Sequence, residues 1–379
     1  MIKFYKIFKL KSTNIRNFGL LFAFFAIFLL GCNNFGEKND QVSSQNNIYE
    51  SIWGDNESGD SLIDDLHKTK IMQRLKNVDQ AGPAHYLHGM PPYSRYSHSI
   101  GVFVILKKFG CNQNEQAAGL FHDISHTAFS HVGDYVFSDD PSKYTKNSFQ
   151  DSIHMQYLRK HRDEIDPILK KYNISFDVLN PENKEYRGLE QKLPDMCADR
   201  IEYNIHTGLI MKKINREDAK QIVDDLRFEG GVWFFKSLES ARKFARLSVM
   251  FTKEFWGSEW NTSMNIHFAG ALKRALDINL ISRDELFGDD IPVLQKLENS
   301  KDRIIKKFMR QCRNILQKMK GYKYKKIHFT PKFRGVNPLV KTDDMNDFKR
   351  LSEIDDEFKR FHDDVKGWCE KGFDLYILT

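Results

Sequence analysis

Two neighbouring stretches decide the reading: Tyr93-Ser-Arg-Tyr-Ser-His98-Ser-Ile-Gly-Val102, and then Ala118-Gly-Leu-Phe-His122-Asp123-Ile-Ser-His126-Thr-Ala-Phe-Ser-His131. The residues before His122 are almost all apolar, so the adjacent imidazole and carboxylate stand at the end of a buried helix. Buried polar groups without partners cost a few kcal/mol each. His98 lies beside another apolar run, Ile100, Val102, Phe103, Val104, Ile105 and Leu106, which reads as a buried helix ended by Gly110. One cation would satisfy His98, His122 and Asp123 together. Imidazole nitrogens with a carboxylate suit a borderline divalent ion such as Zn, Mn, Fe or Ni. A further carboxylate is then expected from a distant helix, and Ala198-Asp199-Arg-Ile-Glu-Tyr203 supplies it. The pair His362-Asp363 is a second His-Asp copy, in a charged segment with no such context.

Outward from this centre the chain reads as mostly α. Leu62, Ile63, Leu66, Ile71, Leu75 and Val78 are spaced by threes and fours, as on an amphipathic helix. Ala117, Ala118, Leu120 and Phe121 form another, with small residues that allow close packing. Ile304, Ile305, Phe308, Met309, Cys312, Ile315, Leu316 and Met319 are expected on one face of a long C-terminal helix. Short strand pairs are expected around Gly230-Gly-Val-Trp-Phe-Phe235, and between Lys325-Lys-Ile-His-Phe329 and Gly335-Val-Asn-Pro-Leu-Val340.

The chain has 379 residues, of which 41% are hydrophobic and 29% charged, so a sizeable core is available. Disorder, collagen and a polytopic membrane protein are excluded as the main state. Five cysteines in this length do not make a disulfide scaffold. The net charge of +7 is concentrated at the start: residues 1–31 hold five basic residues and no acid, and the other 53 basic and 51 acidic residues leave +2. The basic balance is therefore no argument for nucleic acid. Residues 301–334 hold thirteen Lys or Arg and one acid, followed by an acidic stretch. This reads as two solvated faces, or as a site for phosphates or nucleic acid.

The basic start, the apolar run from Phe18 to Gly31 and the sequence Leu29-Leu-Gly-Cys32 resemble a bacterial lipoprotein leader. This implies lipidation at Cys32, a signal peptide over residues 1–31, a polar tether over 32–47, and a membrane-anchored chain facing the periplasm or cell exterior.

From Lys68 to Tyr203 the motifs Arg74-Leu75, Gln80-Ala-Gly82, Arg95-Tyr-Ser-His98-Ser, His122-Asp123, Phe129-Ser-His131 and Asp199-Arg-Ile-Glu-Tyr203 resemble the HD-domain metal-dependent phosphohydrolases. The likeness is to their deoxynucleoside-triphosphate triphosphohydrolase branch, with an echo at Phe333-Arg-Gly-Val-Asn-Pro-Leu-Val340. The resemblance implies an all-α HD-domain helical bundle with small β additions. It places an HD domain over residues 48–220 and a mostly helical C-terminal region over 221–379.

It also implies one divalent metal ion (Mn, Fe, Zn, Ni or Mg) on His98, His122, Asp123 and Asp199, and hydrolysis of a nucleotide or related phosphate ester through metal-activated water. Arg95 would meet a phosphate oxygen, Arg200 would supply a phosphate-binding cation, and Gln80 and Tyr203 would line the sugar pocket. His126, His131 and Asp151 would serve catalysis, and the branch's oligomers imply a homo-oligomer. Two positions depart from the branch. Gln150 stands where a catalytic His is expected, with His154 one helical turn beyond it as a substitute. His206-Thr207 stands where an Arg-Asp pair is expected. These departures keep a second reading open, a catalytically silent module that binds nucleotide or nucleic acid.

Overall fold

A computed structural model describes Trp53 and residues 60–138 and 148–379. The expected leader, Cys32 and the tether lie outside the described residues. The described residues all belong to one compact unit. Helices α1 (Ser61–His67), α2 (Lys70–Arg74) and α3 (Pro83–His88) lead into α4 (Arg95–Lys108) and α5 (Gln113–Phe121). Then come α6 (Val132–Val136), α7 (Phe149–Lys160), α8 (Arg162–Lys171), α9 (Ala198–Ile210) and α10 (Arg216–Asp225). The hairpin β1 (Leu226–Glu229) and β2 (Val232–Phe235) precedes α11 (Leu238–Phe251), a π-helical turn (Thr252–Trp256), α12 (Glu259–Asp277), α13 (Asp290–Asn299) and α14 (Arg303–Arg313). The chain closes with β3 (Tyr324–Phe329), β4 (Leu339–Val340), β5 (Lys349–Arg350), α15 (Leu351–Ile354), α16 (Asp356–Lys371) and β6 (Phe373–Leu378). The mostly helical fold with small sheets matches the expectation. No described helix is long and apolar enough to cross a membrane.

The frame of the site is built from α4, α5 and α9. Ser94 caps α4 by accepting the Ser97 N–H at 3.1 Å, and Asn112 caps α5 by accepting the Glu115 N–H at 2.9 Å. Each such cap is worth about 1 kcal/mol. On α4, every residue from Gly101 to Leu106 is buried. Two glycines bring the helices close. A Cβ on Gly119 would stand 2.3 Å from Leu106 Cδ1, and one on Gly101 would stand 2.5 Å from Glu202 Oε1. Helix α5 can therefore lie against α4, and α9 can bring Glu202 against the turn that carries His98. A second core joins Phe268 and Leu272 of α12, Met309 and Cys312 of α14, and Phe129 and Val132.

Two expectations for the C-terminal region change. The helix begun at Arg303 ends at Arg313, with Ile304 and Leu316 exposed. The apolar spacing continues past Arg313, but Leu316 has a left-handed backbone with φ 63°, which no continuous helix permits. Strand β3 pairs antiparallel with β6, from Tyr324 opposite Leu378 to Phe329 opposite Phe373, rather than with residues 335–340. Strand β4 instead runs parallel to β2 and antiparallel to β5. The hairpin around Gly230-Gly231 forms as expected, with both glycines at positive φ.

Candidate metal centre and adjoining pocket

His98 is on the first turns of α4, His122 caps the end of α5, Asp123 follows it, and Asp199 is in the first turn of α9. The fold gathers these four. Ligand atoms of His98, His122 and Asp123 lie within 4.8 Å of one another. Asp199 Oδ1 is 2.9 Å from His98 Nε2 and 3.7 Å from His122 Nε2.

The tautomers are set from behind. His122 Nδ1–H donates to the Gly119 carbonyl at 2.7 Å, and His98 Nδ1–H donates to Glu202 Oε2 at 2.5 Å. Both Nε2 lone pairs then face the centre, only 3.2 Å apart, with carboxylate oxygens beside them. Lone pairs converging at this distance repel unless a cation or proton lies among them. The donor set therefore fits a divalent metal held by two imidazoles and two carboxylates. Burial alone would disfavour a charged His98, but Asp199 and Glu202 outweigh it and push its pKa up to about 10. Burial would raise the pKa of Asp199; the His122 and His98 bonds instead hold it well below the carboxylate range. The same balance holds Asp123 low, with Arg95 the leading partner. Asp199 also stands within 4.8 Å of ligand atoms of Glu190 and Cys197.

Arg95 is buried; Nη1 donates to Asp123 Oδ2 at 2.6 Å and Nε to Ser130 Oγ at 2.9 Å. It opens onto a pocket that Gln80, His131, Tyr203, Trp256, Lys332 and Arg334 also line. The Tyr203 ring stands between the centre and the pocket, 6.4 Å from the His98 ring and 5.5 Å from that of Trp256. Gln80, Arg95, His131 and Tyr203 are thus brought to one pocket.

His126 lies beside the metal centre. It is buried, its Nδ1 is 3.3 Å from Asp123 Oδ1, and neither ring nitrogen makes a hydrogen bond. Burial, reinforced by Arg95, keeps its pKa well below the usual value, so the ring is neutral. His131 is 5.1 Å from it between ring centroids, and its Nδ1 is 3.2 Å from Asp134 Oδ2. Asp151 is exposed, and neither it nor Arg200 lines the pocket; both act on the ionisation of Glu190 and Lys332. Arg200 Nη1 donates to the Asp195 carbonyl at 3.0 Å.

The departures fall in different places. Gln150 is buried, and its carbonyl accepts the Ser125 hydroxyl at 3.0 Å. His154, one turn beyond it, does not line the pocket. It is buried between Ser125 Oγ at 3.3 Å and the Leu179 carbonyl at 3.2 Å, and burial lowers its pKa to about 4. His206 supports the centre from behind, stacked on Tyr93 at 3.8 Å with its Nδ1 3.5 Å from Glu202 Oε1. Thr207 lines the pocket.

Sequence reasoning assigned no role to Glu202 or Tyr93, and took Lys332 and Arg334 only as members of the basic stretch 301–334. The signal for Glu202 was present: three residues after Asp199 on a helix, it shares that residue's face. Lys332 precedes the echo and Arg334 lies within it, but only folding brings them to the pocket that Arg95 lines.

No family model matches the chain. It is 30% identical to the protein YdhJ of Bacillus subtilis over 331 residues, covering 87% of this chain and 99% of that one. It is 32% identical to the metal-dependent phosphohydrolase cns2 of Cordyceps militaris over 180 residues, 48% of this chain and 50% of that one, so it spans about half the length of that relative. A shorter likeness, 28% identical over 123 residues, covers 28% of this chain and 18% of the mouse deoxynucleoside triphosphate triphosphohydrolase SAMHD1. Among solved structures, a phosphohydrolase from Bacteroides thetaiotaomicron matches with a TM-score of 0.60 at 15% identity, over 83% of this chain and 94% of that one, a likeness of fold.

Proposed function

The chain belongs to one family with YdhJ, and from that premise and its likeness to the metal-dependent phosphohydrolase cns2 we propose that it is an HD-type metal-dependent phosphohydrolase that hydrolyses a nucleotide or related phosphate ester, with the phosphoryl group between the metal centre and Arg95. The observation that carries this reading is the continuity of the two parts: Arg95 donates to the metal-facing Asp123 and also lines the pocket. One divalent ion on His98, His122, Asp123 and Asp199 would lower the pKa of a bound water and polarise a phosphoryl oxygen.

The chain's own residues supply the rest. Arg95, Lys332 and Arg334 offer positive charge to phosphate oxygens, which phosphoryl transfer needs more than covalent chemistry. His126, neutral and without a hydrogen bond, is the proton carrier beside the centre. His131, oriented by Asp134, faces the pocket as a second donor, and Asp151 and Arg200 act on the charge of the pocket's Lys332. Tyr203 and Gln80 line the side that receives the leaving group; aromatic walls from Phe255 and Trp256 suit a nucleoside. The Leu29-Leu-Gly-Cys32 sequence supports a lipid anchor and an outward-facing location. A screen of nucleotides and simple phosphate esters on the Mn²⁺-loaded chain tests the reading. Turnover of a nucleotide supports it, whereas turnover of simple esters alone removes the nucleotide.

The second reading, a silent nucleotide-binding module, is favoured by Gln150, since an amide cannot carry a proton at neutral pH. Under it the loaded chain binds nucleotides without turnover.

A further inference from the structure

Asp290, the first residue of α13, is fully buried. Its Oδ2 accepts the Asp79 N–H at 2.9 Å and the Tyr86 hydroxyl at 2.9 Å, and its Oδ1 accepts the Phe129 N–H at 2.7 Å. The two amides belong to separate loops of the pocket wall. One carries Gln80, the other Ser130 and His131.

The second loop is held in an unusual shape. Phe129 and Ser130 are consecutive non-glycine residues at φ 62° and 57°. Such a conformation costs about 1–3 kcal/mol per residue and persists where the surroundings over-determine it. Here three hydrogen bonds fix it. Asp290 takes the Phe129 amide, the Leu286 carbonyl takes the Ala128 amide at 2.7 Å, and Ser130 Oγ donates to the Asp79 carbonyl at 2.6 Å. The loops also touch directly: a Cβ on Gly82 would stand 2.5 Å from the Phe129 carbonyl oxygen. Ser130 Oγ then accepts Arg95 Nε at 2.9 Å. A chain of bonds thus runs from Asp290, which is 195 positions beyond Arg95 in the sequence, to the guanidinium at the phosphate end of the pocket.

We propose that Asp290 is a positioning residue of the phosphate site, clamping the Gln80 loop to the Ser130–His131 loop and so aiming Arg95. This rests on the phosphohydrolase reading above. A carboxylate suits the place because three donors converge on its two oxygens. An apolar side chain would orphan two buried amides, and an asparagine would set its NH₂ against one of the donors. The four proposed metal ligands lie on α4, on α9 and at the end of α5, outside both clamped loops, so the clamp serves substrate rather than metal.

The test uses the Mn²⁺-loaded full chain and inorganic tripolyphosphate as the probe, with affinity from titration calorimetry, KM and kcat on a turned-over phosphate ester, and bound metal by elemental analysis. Asp290→Asn and Ser130→Ala should each weaken tripolyphosphate binding roughly tenfold, the scale of one lost charge-assisted bond, and raise KM while metal content holds. Because both act through one bonded chain, the double variant should lose no more than the larger single loss, whereas independent sites add. Additive losses, unchanged affinity in Ser130→Ala, or metal loss in step with affinity would overturn the clamp. Ser130→Ala decides the matter even where Asp290→Asn does not fold. A wild type that neither binds the probe nor turns over any ester overturns the phosphohydrolase reading itself. A wild type that binds while both variants match it overturns the clamp alone.

Discussion

Glu202 Oε2 accepts the Nδ1–H of His98 at 2.5 Å, across 104 positions of sequence. The contact decides which nitrogen of His98 faces the metal centre, and the Tyr93 hydroxyl donates to the same carboxylate oxygen. Carboxylates behind ligating histidines fix the tautomer and raise ligand basicity. Glu202→Gln keeps the shape of the contact and removes the charge. It should lower metal affinity by roughly 10–100-fold, read by competition with a chelator. Unchanged affinity would mean that His98 is oriented by other groups.

His126→Ala should cut turnover by roughly 10²–10⁴, the usual worth of general acid–base catalysis, while metal content stays at the wild-type level. The ring makes no hydrogen bond, so its removal leaves no polar partner orphaned. Gln150→His, at the position where the resembling branch has its catalytic histidine, should leave activity equal or raise it. Loss of metal in His126→Ala would make that residue a ligand.

His267 carries a pH signature of stability. Its Nδ1–H donates to the Ser263 carbonyl at 2.6 Å and its Nε2 accepts the Leu378 N–H at 3.2 Å, so the ring is fixed as neutral. Burial lowers its pKa from 6.5 to about 4, against the Ser263 bond. A depressed histidine pKa means that the unfolded chain binds the proton more readily. Its contribution is complete above pH 6.5 and is lost as pH falls through about 4. Urea midpoints taken from pH 7 to pH 4 should therefore fall less steeply in His267→Gln, by up to about 3 kcal/mol. Asp290, pushed up to about 7 by burial, contributes in the opposite sense and equally in both proteins. Parallel curves would place the acid sensitivity elsewhere.

Cys32→Ser should release or mislocalise the chain and alter its mass. Identical fractionation and mass in wild type and variant would remove the lipoprotein reading.

The helical class and the residues of the centre were legible because they sit in apolar surroundings that make a polar group conspicuous. His122-Asp123 at the end of α5 and Asp199 in the first turn of α9 are of this kind. Glu202 was harder to read, since its partner is set by how closely Gly101 lets α9 approach α4, which no local pattern encodes. Asp290 was hidden for the same reason: its partners, Asp79 and Phe129, are 211 and 161 positions away. The pairing of β3 with β6 failed for want of any local turn, because α16 and two short strands intervene. The end of α14 was misread because apolar spacing continues past Arg313 while the backbone turns left-handed at Leu316.

The most direct measurement is the metal content and phosphate-ester turnover of Asp199→Ala beside Asp363→Ala. Asp199 faces two imidazoles at 2.9 and 3.7 Å, whereas Asp363 is 59% exposed beside His362. The expected result is loss of most of the metal and all detectable turnover in Asp199→Ala, with both unchanged in Asp363→Ala. Full metal and turnover in Asp199→Ala, or equal losses in the two variants, would contradict the metal centre described above.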